Sequence, residues 1–392
     1  MLAAIGPSPR APRPVDVRHT DEQNLLRSSA RDFLARECPM TLVRQMMDDE
    51  RGFTEELWQS IARLGWPSLV IDSAQGGAGL GLVDLCVLLE ETGRALLPGP
   101  LLSSVAVGTA AVARCDNEEL RKAWLPAVAS GEKRLSVAWL EDLGSWASDG
   151  IATTAEPAGG GYTLRGTKLF VPDGESADAL VVVARDTSSD ALVIVLVDAA
   201  SPGVSTSPIP YMDATRRVAS VELDDVAVEA AAVLAGPSNG ERLLGHVHDL
   251  ARVALSAESI GGCQAVLNLS VEYAKTREQF GTPIGKFQAI QHRCADMLVA
   301  LESARSAAYY AAWAIDNNEP DAHASACMAK AYCSETFAQV AGDGIQIHGG
   351  MGFTWDADLH IYYKRAKASE LAFGDPAWNR EQAARALLDA AG

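Results

Sequence analysis

Arginines, carboxylates and clustered glycines carry the chemistry open to this sequence of 392 residues. In "YAKTREQFGTPIGKFQAIQHRCADM" (Tyr273 to Met297) a helix ends at Arg277, a Gly281-Thr282-Pro283 turn reverses the chain, and a new helix begins near Phe287. Arg277 and Gln279 then stand at a helix C-terminal end, free to hydrogen-bond a ligand beyond their own helix. In "GIQIHGGMGF", Gly349, Gly350 and Gly352 let backbone approach a ligand closely, with Gln346 just before them. Alone, that run also reads as a helix-ending glycine cluster. On "HVHDLARVALSAESIGGCQ", Asp249 and Arg252 are i, i+3 and share a face, as a ligand-binding pair or a surface ion pair would. Glu258 falls on the apolar stripe Val247, Leu250, Ala254, Gly261, Ala265, where a carboxylate needs a partner or a raised pKa. Asp375 sits in the Gly374-Asp375-Pro376 turn of "ELAFGDPAWNR".

Several familiar sites fail on spacing. "GTPIGK" is one residue short of a phosphate-binding P-loop, and "GGAGLG" follows no clear strand. His246 and His248 are i, i+2 and face different directions, so no metal pair is expected. The seven cysteines contain no CxxC, and no G-x-S-x-G occurs. Reduced thiols in a cytoplasmic protein are the expectation. A net charge of -18 and a pI near 4.8 argue against nucleic acid or an anionic membrane as partner. No segment approaches a membrane span.

Three stretches must position these groups. Residues 1–16, rich in Pro and weakly apolar, read as a disordered lead-in. Residues 17–133 are helical, opening on a Thr20–Gln23 capping box. Over 134–235, short β-branched runs such as "ADALVVVAR" and "DALVIVLVD" predict an antiparallel β domain. Over 236–392 long amphipathic helices return, from Glu241 to about Ala274, Phe287 to Asn317 and Pro320 to His348, with a last helix near Asp358. The class is α+β, with two helical layers around a β module.

In combination, "TREQFG…FQ", "QIHGGMGF", "QGGAGLGLVDLCVLLEETGRALL" and the α–β–α order resemble the acyl-CoA dehydrogenase family, over essentially the whole chain from about Val17. The resemblance implies a helical N-terminal domain, a middle β domain and a C-terminal four-helix bundle. It further implies FAD, an acyl-CoA substrate desaturated between its α and β carbons, and a homo- or hetero-oligomer. An electron-transfer protein or other acceptor would reoxidise the flavin. Arg277, Gln279, Phe280 and Gln288 match the family's contacts to the FAD pyrophosphate and adenosine. Gln346, Gly349 and Gly350 match the loop that reaches FAD from a neighbouring subunit, and Phe170 matches the residue covering the flavin ring. Asp249 and Arg252 match the pair on the substrate helix that serves the CoA ester.

Two departures stand out. The family's Trp-Ile-Thr stretch becomes Phe170-Val171-Pro172, and Pro172 lacks the hydroxyl that the Thr donates. Both family positions for the catalytic base are also empty: Phe373 stands where one group carries Glu, and Ala251 where another does. Glu258, about 10 Å along the helix from Ala251, and Asp375 are the substitutes at hand. The base is therefore unassigned, and three readings stay open: a complete dehydrogenase with an atypical base, a subunit whose partner supplies the carboxylate, or a non-catalytic flavin- or acyl-CoA-binding homologue.

Overall fold

The computed structural model describes residues 19–142 and 144–391, so the lead-in expected over 1–16 lies outside them. The chain opens on α1 (Asp21–Glu37), capped reciprocally: Thr20 Oγ1 accepts the Gln23 N–H at 3.2 Å and Gln23 Oε1 accepts the Thr20 N–H at 3.1 Å. Then come α2 (Met40–Asp48), α3 (Glu55–Arg63), α4 (Leu82–Arg94), a buried π-helix (Leu101–Gly108), α5 (Thr109–Ala113) and α6 (Glu118–Ala129).

Eight strands follow: β1 (Leu135–Ala138), β2 (Thr154–Ala158), β3 (Gly161–Pro172), β4 (Ala179–Asp186), β5 (Leu192–Asp198), β6 (Val204–Pro208), β7 (Val218–Val228) and β8 (Val233–Ala235). They form one sheet in the order β6-β7-β3-β2-β4-β5-β8, with β1 beside β4. The sheet departs from the purely antiparallel pattern expected, because β1 and β2 both pair with β4 in parallel. The return from the end of β3 brings β4 in along their direction. Alternation along β4 divides the sheet's two faces. Val181 and Val183 join the core shared with the helices, while Leu180, Val182 and Ala184 join a second cluster with Val193, Val195 and Val221.

The C-terminal helices are α7 (Gly240–Thr276), α8 (Gln288–Asp316), α9 (Ala322–His348), α10 (Leu359–Leu371) and α11 (Pro376–Ala391), with a short β9 (Glu278–Gln279)/β10 (Thr282–Pro283) hairpin between α7 and α8. The sequence pattern predicts a last helix near Asp358, which is α10; the structure adds α11. Its signal was the Asp-Pro pair: Asp375 Oδ1 accepts the Trp378 N–H at 2.7 Å, and Pro376, with no N–H to satisfy, occupies the first turn. No helix is long and apolar enough to cross a membrane among the described residues.

The mostly buried α4 crosses α7 at a glycine contact. A Cβ on Gly261 would lie 1.8 Å from the Glu90 carbonyl oxygen, and one on Gly93 would lie 1.9 Å from that of Glu258. The helices meet backbone to backbone, so neither side can yield by turning a side chain. Gly261→Ala should therefore cost about 1–3 kcal/mol, read as a lowered urea midpoint against the parent; an unchanged midpoint would show that the crossing relaxes freely.

Candidate active site

A cavity of about 460 Å³ lies where the three domains meet, lined by Leu140, Trp146, Phe170, Pro172, Tyr211, Arg216, Leu255, Phe373, Asp375 and Trp378 among others. Its β-domain wall depends on an irregularity in β3. The β3–β7 register shifts between Lys168 and Val171, and Phe170 adopts a left-handed φ of +51°. The ring is thereby turned outward, 43% exposed, with its centroid 6.3 Å from Tyr211. Beneath it, fully buried Lys168 donates to Glu141 Oε1 at 2.5 Å and to the Trp139 carbonyl at 3.3 Å. The Glu141 carboxylate also accepts the Ala152 and Thr153 N–H groups at 2.8 and 3.0 Å, which pins the Trp139–Gly150 loop. Burial pulls the Lys168 ammonium down to about 8 against the pull of Glu141.

The opposite wall is the turn between α10 and α11. Phe373 is buried with a left-handed φ of +56°, a costly conformation for a bulky residue. Three buried donors hold the turn. His248 Nε2 donates to the Phe373 carbonyl at 3.1 Å, Asn379 Nδ2 to the Gly374 carbonyl at 2.8 Å, and Lys330 Nζ to the same Gly374 oxygen at 3.0 Å. Burial holds His248 well below the usual range, so its ring is neutral and Nε2 carries the proton. Burial, with Arg252 nearby, pulls Lys330 down to about 7. The Phe373 N–H has no hydrogen-bond partner among the described residues.

Behind the cavity lies a buried ion cluster. Arg365 donates from Nε to Asp213 Oδ2 at 2.6 Å and to Thr215 Oγ1 at 3.0 Å, and from Nη1 to Glu258 Oε1 at 3.2 Å. The second Glu258 oxygen accepts from Arg216 Nη2. Glu258 therefore has both oxygens on guanidiniums and does not line the cavity, and Ala251 is fully buried on the same helix. Asp375 does line the cavity, with one oxygen committed to its cap. Asp249 accepts from Arg252 Nη1 at 2.7 Å and from His323 Nδ1 at 2.9 Å. Arg252 is buried, bound through Nε to Asn379 Oδ1 at 2.8 Å, with its guanidinium 5.1 Å from the Trp378 ring. The hydrogen bond to Asp249 lifts His323 to about 10. Cys327 lies 3.9 Å from its other ring nitrogen, so this group of metal-ligand residue types forms an ion pair with a sulfur neighbour.

The remaining candidates gather elsewhere. Arg277, Gln279, Phe280, Gln288, Gln346, Gly349 and Gly350 are all exposed. Stacking of Tyr273 on His348, centroids 4.1 Å apart, brings the end of α7 beside the end of α9. Phe280, at φ +54°, is 93% exposed on the β9/β10 turn. From Leu255 in the cavity wall to Arg277 is 22 residues, roughly 33 Å along α7.

Family models of the acyl-CoA dehydrogenase N-terminal, middle and C-terminal domains match residues 20–132, 141–226 and 239–388. The chain belongs to the acyl-CoA dehydrogenase family. It is 31% identical to the acyl-CoA dehydrogenase IpdE2 of Mycolicibacterium smegmatis, over 93% of this chain and 98% of that one. Among solved structures, the ChsE4–ChsE5 complex from Mycobacterium tuberculosis superposes with a TM-score of 0.88 at 29% identity, covering 96% of this chain and 99% of that one. PigA, described with FAD and proline, superposes at 0.88 with 25% identity, over 96% of this chain and the whole of that one.

Against the family pattern, the structure brings Phe170, Phe373 and Asp375 to one cavity. It sets Asp249 and Arg252 beside the turn that carries Phe373, and Arg277 and its neighbours at the far end of α7. Arg216, Lys330, Arg365 and Asn379 are not among the residues that sequence patterns single out, and His248 stands out there only for its spacing from His246. One signal was present: "DATRR", Asp213 to Arg217, puts three charged residues in a loop between strands. Lys330 and Asn379 gave none, since each lies in an unremarkable helical stretch.

Two outcomes follow for stability. Glu258→Gln leaves Arg365 and Arg216 short of a counter-charge and should cost about 3 kcal/mol, measured by urea unfolding. Lys330 has a folded-state pKa below its unfolded value, so its burial penalty is full below pH 7. That penalty eases as pH rises from 7 toward the unfolded value near 10.4. Parent stability should thus gain on Lys330→Met across that window; parallel pH profiles would show that Lys330 is not the titrating group.

Proposed function

We propose that this chain is one subunit of a heteromeric FAD-dependent acyl-CoA dehydrogenase whose partner brings the carboxylate that removes the α proton. The observation that carries this is the cavity lining: Asp375 is its single carboxylate among the described residues, and one of its oxygens caps α11. Glu258 is held by Arg216 and Arg365, and the family base positions hold Phe373 and Ala251. A phenyl ring and a methyl group take no proton. The ChsE4–ChsE5 structure supports the heteromer, being a complex of two differently named chains.

The residues present fit a flavin. The cavity joins an aromatic wall, Phe170 and Tyr211, to a cation, Arg216, and Trp139 Nε1 is buried without a partner. FAD, when bound, takes the hydride that leaves the β carbon. The Phe373 N–H, unpaired and set by a left-handed backbone, is a donor for the thioester oxygen. Arg252, whose Nη2 has no partner among the described residues, and Asp249 serve the CoA ester side. Arg277, Gln279, Phe280, Gln288, Gln346, Gly349 and Gly350 hold the pyrophosphate and adenosine of a cofactor. A ribityl chain cannot bridge roughly 33 Å, so its ring lies in another subunit's cavity. Exposed Phe280, Phe353 and Trp355, at 93, 75 and 71%, give that end an apolar surface suited to a subunit contact.

A second reading rests on the cavity position of Asp375, which would make the chain a complete enzyme with an atypical base. Anaerobic mixing with a panel of acyl-CoAs separates the two. The chain alone should hold its flavin colour, and co-expression with a homologue carrying Glu at a base position should allow bleaching. Bleaching by the chain alone, lost in Asp375→Asn, would establish the second reading instead. A protein colourless with and without the partner would end the flavin assignment.

A further inference from the structure

Pro172 removes a hydroxyl from the cavity wall, and the structure sets a cation beside the gap. The β3–β7 register pairs Pro172 with Val218, and the Asp173 N–H donates to the Arg217 carbonyl at 2.8 Å. Arg216 precedes that carbonyl by one residue and lines the same cavity. Its guanidinium is anchored from behind, since Nη2 donates to Glu258, itself fixed by Arg365. Nη1 has no hydrogen-bond partner among the described residues, and Nε is buried 3.9 Å from Asp213 Oδ2, beyond hydrogen-bonding reach. The guanidinium is thus held rigidly, offers an unused donor, and is the one cation in a mostly apolar lining whose one carboxylate is Asp375, among the described residues. Its neighbours Phe170 and Tyr211 supply ring faces against which a flat ligand can lie.

We propose that Arg216 hydrogen-bonds through Nη1 to an acceptor atom of a flavin ring seated in this chain's own cavity, and so favours the negatively charged states of that ring. This rests on the FAD reading above and goes beyond it in giving this chain's cavity a flavin of its own. A fixed guanidinium in a poorly hydrated site stabilises negative charge far better than a hydroxyl dipole would. Glu258 balances the charge of Arg216, so the cation is tolerated when the cavity is empty, and its free donor is used when a ring arrives.

Sulfite titration of the FAD-loaded protein tests this, because the flavin–sulfite adduct is anionic and reports a nearby cation without turnover. Arg216→Gln should weaken sulfite binding at least about tenfold, the scale of one charge-assisted hydrogen bond, while Arg216→Lys stays near the parent. Equal sulfite affinity in parent and Arg216→Gln, each with flavin bound, would overturn the proposal. A structure of the loaded parent needs no variant. Nη1 within hydrogen-bond distance of a ring acceptor supports the assignment, and a guanidinium turned from the ring, or a cavity without flavin in the loaded assembly, defeats it. Failure of the FAD reading looks different, since the parent itself would then carry no flavin.

Discussion

The meeting of the β domain with the C-terminal helices depends on one buried guanidinium. Arg365, on α10, meets Asp213 and Thr215 from the β domain and Glu258 from α7, so a single side chain joins two domains across three elements. A lone charge in that position would be prohibitive; two carboxylates and a hydroxyl make it tolerable, and only in one relative placement of the parts. The adjacent Arg217 extends the tie to the N-terminal helices, donating from Nη2 to the Met46 and Met47 carbonyls at 2.8 and 3.1 Å near the end of α2. Hydrophobic burial assembles the three layers, and these directional contacts set how they meet.

That placement fixes what the cavity can do. Glu258, a carboxylate that helix spacing suggested as a base, lies behind the cavity and is consumed in holding the domains together. The turn on the opposite wall is fixed just as firmly, by His248, Lys330 and Asn379, and brings to the cavity a phenyl ring and one carboxylate, Asp375, whose Oδ1 already caps α11. Rigid supports around the cavity, with Phe373 and Ala251 at the family base positions, are the ground for the proposed division of labour between subunits.

Much of this was legible in the sequence, unevenly. The α–β–α order, the Thr20 cap and the exposed Arg277 and Gly349 segments follow from periodicity, capping chemistry and specific motifs, which are local signals. The parallel pairings of β1 and β2 with β4 were not legible, because strand direction depends on how connections cross the sheet. Helix α11 was signalled by Asp375-Pro376 but read as an isolated turn. The apolar stripe signals that Glu258 needs a partner, but the ion cluster escaped because Asp213 and Arg365 are far from it in the chain and each alone resembles an ordinary surface charge. Lys330 is the extreme case, a lysine whose complete burial no local pattern announces.

On the proposed division of labour, this chain does not take the α proton by itself. Incubating the FAD-loaded chain with an acyl-CoA in deuterated buffer, and following the α position by mass spectrometry, addresses that step alone, whether or not a hydride moves. No exchange above the buffer rate is expected for the chain alone, and exchange should appear once a Glu-bearing partner subunit is present. Exchange by the chain alone would contradict the account and locate the base within this chain.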